Sequence, residues 1–545
     1  MMTHVCEFPS GGRNRSREDE NVRRNVLKQA GLGAFVLVAM GVCFARAAED
    51  PRRPNFLVIL ADDMGFSDAG CYGGEIATPN LERLAAGGLR FTRFYNTARC
   101  WPTRGSILTG YYAQQVRRDA LPGMPVGNRP SWARLLPEML EPLGYRSYHS
   151  GKWHVDGKPV EEGFDKSYWV QDQDRFFSPR VHYEDDQPLP PVRPDSGYYA
   201  TTAIADHAVR CLKDHAATHA DRPFFHYLAF TCPHFPLHAL QEDIDRYRGR
   251  FREGWDILRQ QRWQRMKEMG IVDCRLSARD PAAQAWNDLS QQEQQACEVR
   301  MAIHAAMIDR MDQEIGRVLD QLRAMDALES TVIFFLSDNG ASAERVLRGD
   351  GHDAEAPPGS WRSYLCIEPG WSNLANTPLR RHKIWVHEGG ISTPLIVHWP
   401  EGIAARGQLR RDVGHVIDLV PTILELAGGQ TPERRPGDIV PPLPGRSLVP
   451  AFAQDGSVAR EFLYWNHSGN RAIRVGDWKL VSAGRDGTWE LYDLRTDRAE
   501  SDDLAAKYPE KVRELAERWT QCTEQFRQDA TGQADEGAPD SESGQ

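Results

Sequence analysis

The chain has 545 residues, 41% hydrophobic and 26% charged, an ordinary composition for a globular protein long enough to build more than one domain around a large core. Its formal net charge of -10 is spread along the chain rather than massed in a block, which argues against a dedicated nucleic-acid surface.

The first segment reads as an address, not as fold. Arg23, Arg24 and Lys28 open a basic region, and the apolar stretch from Ala30 to Ala45 follows. That stretch is too short and Gly-rich for a membrane span, and Ala45-Arg46-Ala47 supplies an A-x-A cleavage signal. Residues 1–47 are therefore expected to be a signal peptide of twin-arginine type, sending the protein to the periplasm or the medium. Retention as an N-terminal anchor is the alternative, and Val42 before Cys43 is too large for a lipoprotein signal. No other segment is apolar enough to cross a membrane.

Asn55 to Leu60 is a continuous apolar run ending in Ala-Asp-Asp, the pattern of a buried parallel strand that delivers polar residues at its carboxyl end. Phe224 to Phe230, Thr331 to Leu336 and Pro394 to Val397 repeat it, ending in Thr-Cys-Pro-His, Ser-Asp-Asn-Gly and His-Trp-Pro. Helical patterns stand between them. Thr78-Pro79 starts one that Gly87-Gly88 stops, and Met301 to Met325 carries apolar residues at helical spacing. Alternating strands and helices predict an α/β fold with a large, mostly parallel sheet, helices on both faces, and polar chemistry at the strand carboxyl ends. Residues from about Gln241 to Glu298 are charged and read as a helical surface insertion.

From about Ala459 the pattern changes to short strand-like runs, Glu461–Trp465, Ala472–Val475, Trp478–Val481 and Trp489–Tyr492, with Gly/Asp turns between. They predict an antiparallel meander, closed by a helix over Glu510 to Gln525. The domain reading is 53–455 for the α/β domain, 456–528 for a C-terminal α+β subdomain and 529–545 for a polar, disordered tail. The cysteines after the signal are widely spaced with no C-x-x-C pair, which argues against zinc and leaves any disulfide pairing open.

Chemistry concentrates in a few motifs. Cys100-Trp-Pro-Thr-Arg-Gly-Ser-Ile-Leu-Thr-Gly110 resembles the sulfatase signature C-x-[P/A]-[S/T]-R with its following Thr-Gly. Gly144-Tyr-Arg-Ser-Tyr-His-Ser-Gly-Lys152-Trp-His154 is similar to that family's second signature, Pro233-His234-Phe-Pro-Leu-His238 to its P-H-x-P loop, and Pro378 to Gly390 to its L-R-x-x-K…E-G-G segment. The resemblance runs from about Arg53 to Gln525. It implies an alkaline phosphatase-like fold and an arylsulfatase-like enzyme that releases sulfate from aryl or carbohydrate esters.

The resemblance also implies roles. Cys100 is oxidised by a formylglycine-generating enzyme to formylglycine (3-oxoalanine), whose hydrate attacks sulfur and later expels sulfate. Asp62, Asp63, Asp338 and Asn339, with position 100, take the family's metal positions for one calcium ion, with magnesium as the alternative; hard cations prefer such oxygen ligands. Arg104, Lys152 and Lys383 neutralise the sulfate, His234 and Lys383 protonate the leaving oxygen, and His154 assists elimination. His238, His387, His467, Asn470 and Arg471 are candidate substrate contacts. Trp101 is unusual after the cysteine, and His387 and Ser392 depart from the commoner pattern. A phosphatase cousin and a glycan-binding protein with an unmodified Cys100 are the rival readings; the first usually adds His and Asp ligands for a second ion.

Overall fold

The computed structural model describes residues 53–430 and 440–531. The expected signal peptide, and the tail beyond residue 531, lie outside the described residues.

The main sheet has eleven strands. They are β1 (Asn55–Ala61), β2 (Leu89–Tyr95), β3 (Arg146–Gly151), β4 (Lys166–Val170), β5 (His182–Glu184), β6 (Gln187–Pro188), β7 (Phe224–Ala229), β8 (Thr331–Ser337), β9 (Ser392–His398), β10 (Gln408–Arg410) and β11 (Gly414–His415). The order is β10-β2-β9-β8-β1-β7-β3-β4-β5-β6, with β11 also on β2. The central strands β8, β1, β7, β3 and β4 run parallel. The apolar runs of β1, β7 and β8 are buried on both sides, which is why they lack an alternating polar pattern. Leu57 and Ile59 of β1 point into a core shared with the helices Ala200–Thr218 and Gln291–Ala324. Phe56, Val58 and Leu60 point the other way, toward the helices Cys100–Thr109 and Leu419–Leu426. The expected α/β layering is what the chain adopts.

One strand departs from expectation. β9 lies antiparallel to both β8 and β2. His398-Trp-Pro therefore sits at the end of the sheet away from the polar strand ends, and the amino end of β9, preceded by Glu388, reaches them instead. An all-apolar run does not reveal its direction; the pairing Ile333 with His398 fixes it.

The polar insertion is also less superficial than its composition suggests. Its helix Gly254–Glu268 turns Arg262 inward, fully buried, to donate to Asp68 and Glu75. A buried arginine is tolerated because its fork is matched by carboxylates. The helix Gln291–Ala324 starts ten residues earlier than its apolar periodicity, at a capping box in which Ser290 Oγ accepts from the Glu293 amide and Glu293 accepts from the Ser290 amide.

The C-terminal meander is β12 (Leu463–His467), β13 (Asn470–Val475), β14 (Trp478–Ser482) and β15 (Trp489–Asp493), antiparallel in sequence order. Tyr464, Ile473, Leu480 and Leu491 face the helix Pro509–Thr531. Alternate residues Trp465, Ala472, Val481 and Tyr492 face Tyr95, Val386 and Ile391 of the large domain. The helix runs past the expected end at Gln525 and takes in the first residues of the expected tail. At this seam Glu388, fully buried, accepts from Tyr95 Oη at 2.9 Å, Lys479 Nζ at 3.0 Å and Arg498 Nε at 3.2 Å. No disulfide forms among the described residues; the eight cysteines there are free.

Candidate active site

The central strands end together and present their following residues to one hollow. β1 leads into Asp62 and Asp63, whose backbone is left-handed (φ 68°). β8 leads into Asp338 and Asn339, and β3 into Lys152. β7 leads to His234. Main-chain bonds lock these ends in register: Asp62 N donates to Cys232 O (3.0 Å), Asp338 N to Ala61 O (3.1 Å) and Lys152 N to Ala229 O (2.7 Å). Cys100 is the first residue of the helix Cys100–Thr109, where unpaired amides and the helix dipole favour negative charge. Lys383 comes from a loop tied to both sides, its amide donating to Ala341 O (3.1 Å) and the next amide, of Ile384, to Ala98 O (2.9 Å).

The side chains form a closed charge network. Lys152 Nζ stands 2.6 Å from Asp62 Oδ2, and Lys383 Nζ stands 2.9 Å from Asp63. Arg104, with no exposed surface, donates to Asp338 through Nε (3.1 Å) and Nη2 (2.8 Å), and to Lys152 O through Nη1 (2.9 Å). Asn339 Nδ2 donates to Asp63 Oδ1 at 2.6 Å. Three carboxylates thus balance three buried cations, the arrangement burial demands. Arg104 is bonded to Asp338 and the Lys152 carbonyl and lies 4.0 Å from Asp62, so its close contacts are with the site's own residues, which it orients.

Titration behaviour follows from these contacts. Burial opposes the charged form of Asp63, but Lys383, His234 and Asn339 outweigh it and hold the carboxyl well below its usual range. Burial and the Asp62 charge push Asp338 up to about 6. Burial, then Lys383, drives His234 down to about 3, and burial with Lys152 and Arg104 drives His154 lower still. Burial pulls Lys383 down, but Asp63 overcomes it and keeps the ammonium charged. Burial raises the Cys100 thiol despite both lysines, so an unmodified Cys100 is a poor nucleophile at neutral pH.

The residues fit a hard cation. Asp62 Oδ1 and Asn339 Oδ1 are buried and have no hydrogen-bond partner, while the other carboxylate oxygens of Asp62 and Asp63 are bonded by Lys152, Lys383 and Asn339. Such oxygens are costly unless something positive meets them. Donor atoms of Asp62, Cys100 and Asp338 lie within 4.8 Å of one another, as do those of Asp62, Asp63 and His234.

His234 Nδ1 donates to the Phe235 carbonyl, which fixes the tautomer and leaves Nε2 as a lone pair, 3.7 Å from Asp63, while the ring is neutral. His154 carries a left-handed backbone (φ 57°), and its Nδ1 is buried without a partner. Trp101 packs its indole between the rings of His154 (5.8 Å) and His467 (5.6 Å).

Of the five expected rim contacts, His467 lies at this rim, its Nδ1 2.8 Å from Asp119 Oδ2. Asn470 is close but engaged, donating to Ile384 O (3.1 Å) and accepting from Gly484 N (2.9 Å), so it anchors the Lys383 loop to the meander. The other three meet different partners. His238 Nε2 donates to Ser363 O (2.8 Å) among Phe176 and Phe177. His387 is fully buried 3.6 Å from Glu490. Arg471 stacks on Trp489 and Trp519, because its position in β13 faces the C-terminal helix. Two neighbours of the centre carried no motif. Glu344 lies 3.4 Å from Lys383 Nζ and 3.7 Å from Arg99, and Asp119 orients His467. A single loop carboxylate has no sequence signature, and only the fold brings these to the site.

Comparison with known proteins agrees with this geometry. The family model for sulfatases matches residues 54–429, and the model for the C-terminal part of N-sulphoglucosamine sulphohydrolase matches residues 381–528. An uncharacterized sulfatase of Schizosaccharomyces pombe is 33% identical over 538 residues, covering 88% of this chain and 94% of that protein. The arylsulfatase of Klebsiella aerogenes is 30% identical over 447 residues, covering 74% of this chain and 92% of that protein. Among solved structures, Ps i-CgsB in complex with k-i-k-neocarrahexaose shares the fold with a TM-score of 0.63 at 21% identity, over 87% of this chain and 93% of its own.

Proposed function

The chain belongs to the sulfatase family of sulfuric ester hydrolases, and on that premise we propose that it releases inorganic sulfate from aryl or carbohydrate sulfate esters with formylglycine at position 100 and one calcium ion. The observation that carries this reading is the placement of Cys100 at a helix start, its sulfur within 4.8 Å of the Asp62 and Asp338 oxygens and next to two buried ammonium groups. An aspartate-rich centre with a raised thiol does not suit a cysteine hydrolase, which needs a low thiol pKa and a histidine base. It does suit a residue whose hydrated aldehyde supplies one hydroxyl to attack sulfur and a second to release sulfate.

Asp62, Asp63, Asp338 and Asn339 are the residues that would hold the cation, with magnesium as the alternative ion. A bound cation supplies positive charge to the sulfate oxygens and to the nucleophile. The same carboxylates are bonded by Lys152 and Lys383, so both lysines already aim their charge into the space where a sulfate group would sit. Their positive charge stabilises the outer oxygens as the ester bond lengthens. Lys383 holds the proton nearest the leaving oxygen, and its link to Asp63 keeps it charged. His234 gives a proton from Nε2 only after gaining one, because Nδ1–H is committed to the Phe235 carbonyl. Negative charge on a bound sulfate favours that gain. His154, neutral and with a free Nδ1, is suited to take a proton from the hydrate when sulfate departs. The rim of Trp101 and His467 is offered to the leaving group.

This reading includes maturation by a formylglycine-generating enzyme and export through the N-terminal segment. Among the described residues no helix is long and apolar enough to cross a membrane. The test is sulfate release from aryl sulfates and monosulfated sugars by protein made together with a formylglycine-generating enzyme, beside matched phosphate esters. Sulfate turnover dominates if the reading is right; a large preference for phosphate contradicts it.

A further inference from the structure

Arg99, the residue before the nucleophile, carries a charge that the protein does not satisfy. Its side chain is only 18% exposed, yet its Nε is buried without a hydrogen-bond partner and, among the described residues, its nearest acid oxygen is Glu344 Oε1 at 3.7 Å. That separation is an ion pair without a hydrogen bond. Glu344 is also drawn toward Lys383, whose Nζ lies 3.4 Å from its other oxygen. One carboxylate therefore serves two cations, and Arg99 is left without a hydrogen-bonded acceptor of its own. The contrast with Arg104, which makes three close bonds, is plain. The guanidinium lies over the Trp101 ring at 4.8 Å, and Trp101 Nε1 is likewise buried with no partner.

A planar fork of donors held against an aromatic ring is built to meet a planar or tetrahedral anion, and leaving its donors unmet is costly. The scissile sulfate has its own cations in Lys152 and Lys383. We propose, resting on the sulfatase reading, that Arg99 and Trp101 form a subsite for a second anionic group on the substrate, so that the preferred substrates are sulfate esters of acidic rings, bearing a carboxylate or a further sulfate. Arg99 takes the anion, Trp101 supplies a wall for the ring, and Glu344 is left to Lys383.

The experiment compares three methyl glycosides sharing one ring: a neutral monosulfate, the same monosulfate oxidised to the uronate, and a disulfate. Each is given to formylglycine-bearing wild type, to Arg99→Gln and to Arg99→Lys, with formylglycine content and melting temperature checked for each. The expected result is a preference of about 10–100-fold in kcat/KM for at least one acidic compound, the worth of charged hydrogen bonds. Arg99→Gln loses that preference, Arg99→Lys keeps part of it, and the neutral monosulfate is turned over much as before. Preference for the uronate alone assigns a carboxylate, and for the disulfate alone a sulfate. Equal wild-type turnover of all three, or an equal fall on all three in Arg99→Gln, overturns the subsite and leaves the sulfatase reading standing. If formylglycine-bearing protein turns over no sulfate, that reading fails instead. Calorimetric binding of the three compounds to Cys100→Ala protein, with and without Arg99→Gln, then decides the subsite alone: tighter acidic binding that depends on Arg99 supports it, and equal binding overturns it.

Discussion

Lys383 Nζ stands between Asp63, at 2.9 Å, and Glu344, at 3.4 Å, so the ammonium is fixed in place close enough to Cys100 for their charges to interact. A charged donor held this way matters in proportion to how badly the leaving group needs a proton. Lys383→Ala is expected to lower kcat/KM by about 10²–10⁴-fold for alkyl and sugar sulfates, the usual range for general acid catalysis, and far less for a nitrophenyl sulfate. Rates across leaving groups of graded pKa check this; an equal loss on all of them would reduce Lys383 to a charge that merely binds.

The cation prediction follows from the unpartnered Asp62 and Asn339 oxygens. Titrating calcium into chelator-stripped protein by calorimetry should give one site, and Asn339→Ala or Asp62→Asn should weaken it about 10–100-fold or more. Stripped protein should also melt lower than calcium-loaded protein, because the ion binds only the folded state. A stripped protein with unchanged melting and no calcium heat would remove the ion from the account.

Arg104 tests the scaffold. Removing it strands the Asp338 charge, fully buried, and frees the Lys152 carbonyl. Arg104→Gln is expected to cost about 3–5 kcal/mol in denaturant unfolding, the range for breaking a buried pair by taking one partner. Arg104→Lys, which keeps charge but loses the two-pronged bond to Asp338, should recover only part of that.

The seam between the large sheet and the meander sets an acid limit on stability. Burial would raise the Glu388 carboxyl, but Lys479 and Arg498 outweigh it and hold it down to about 2, below the ordinary 4.5. A carboxyl depressed in the fold contributes stability that is complete above about 4.5 and is lost as pH falls toward 2. The shift corresponds to roughly 3 kcal/mol. Wild type should therefore lose stability across that window faster than Glu388→Gln, which should be weaker at neutral pH and flatter in acid. Parallel pH curves for the two proteins would show that Glu388 is not the linked group.

The acidic part of this site was legible in the sequence because its residues follow apolar runs directly. Asp62 and Asp338 stand at the ends of such runs, where a parallel sheet puts its polar chemistry, whereas Lys152 follows the polar strand β3 and was legible only through its motif. The direction of β9 was not legible, since a run buried on both faces has the same pattern either way. Nor was the inward turn of Arg262, because an arginine-rich helix looks like a solvated one until its acidic partners are brought from elsewhere in the chain. At the rim, the resemblance placed Arg471 at the pocket, but strand alternation sends its side chain toward Trp489 and Trp519. His467, on the neighbouring strand, has the opposite outcome and meets Trp101.

The mass of the peptide that contains Cys100, from protein made in its own host or beside a formylglycine-generating enzyme, decides whether the nucleophile is an aldehyde. An aldehyde at position 100, trapped by a hydrazine reagent, is expected in a fraction that scales with sulfatase activity between preparations. Protein that hydrolyses sulfate esters at full rate with an intact thiol at position 100 would contradict it.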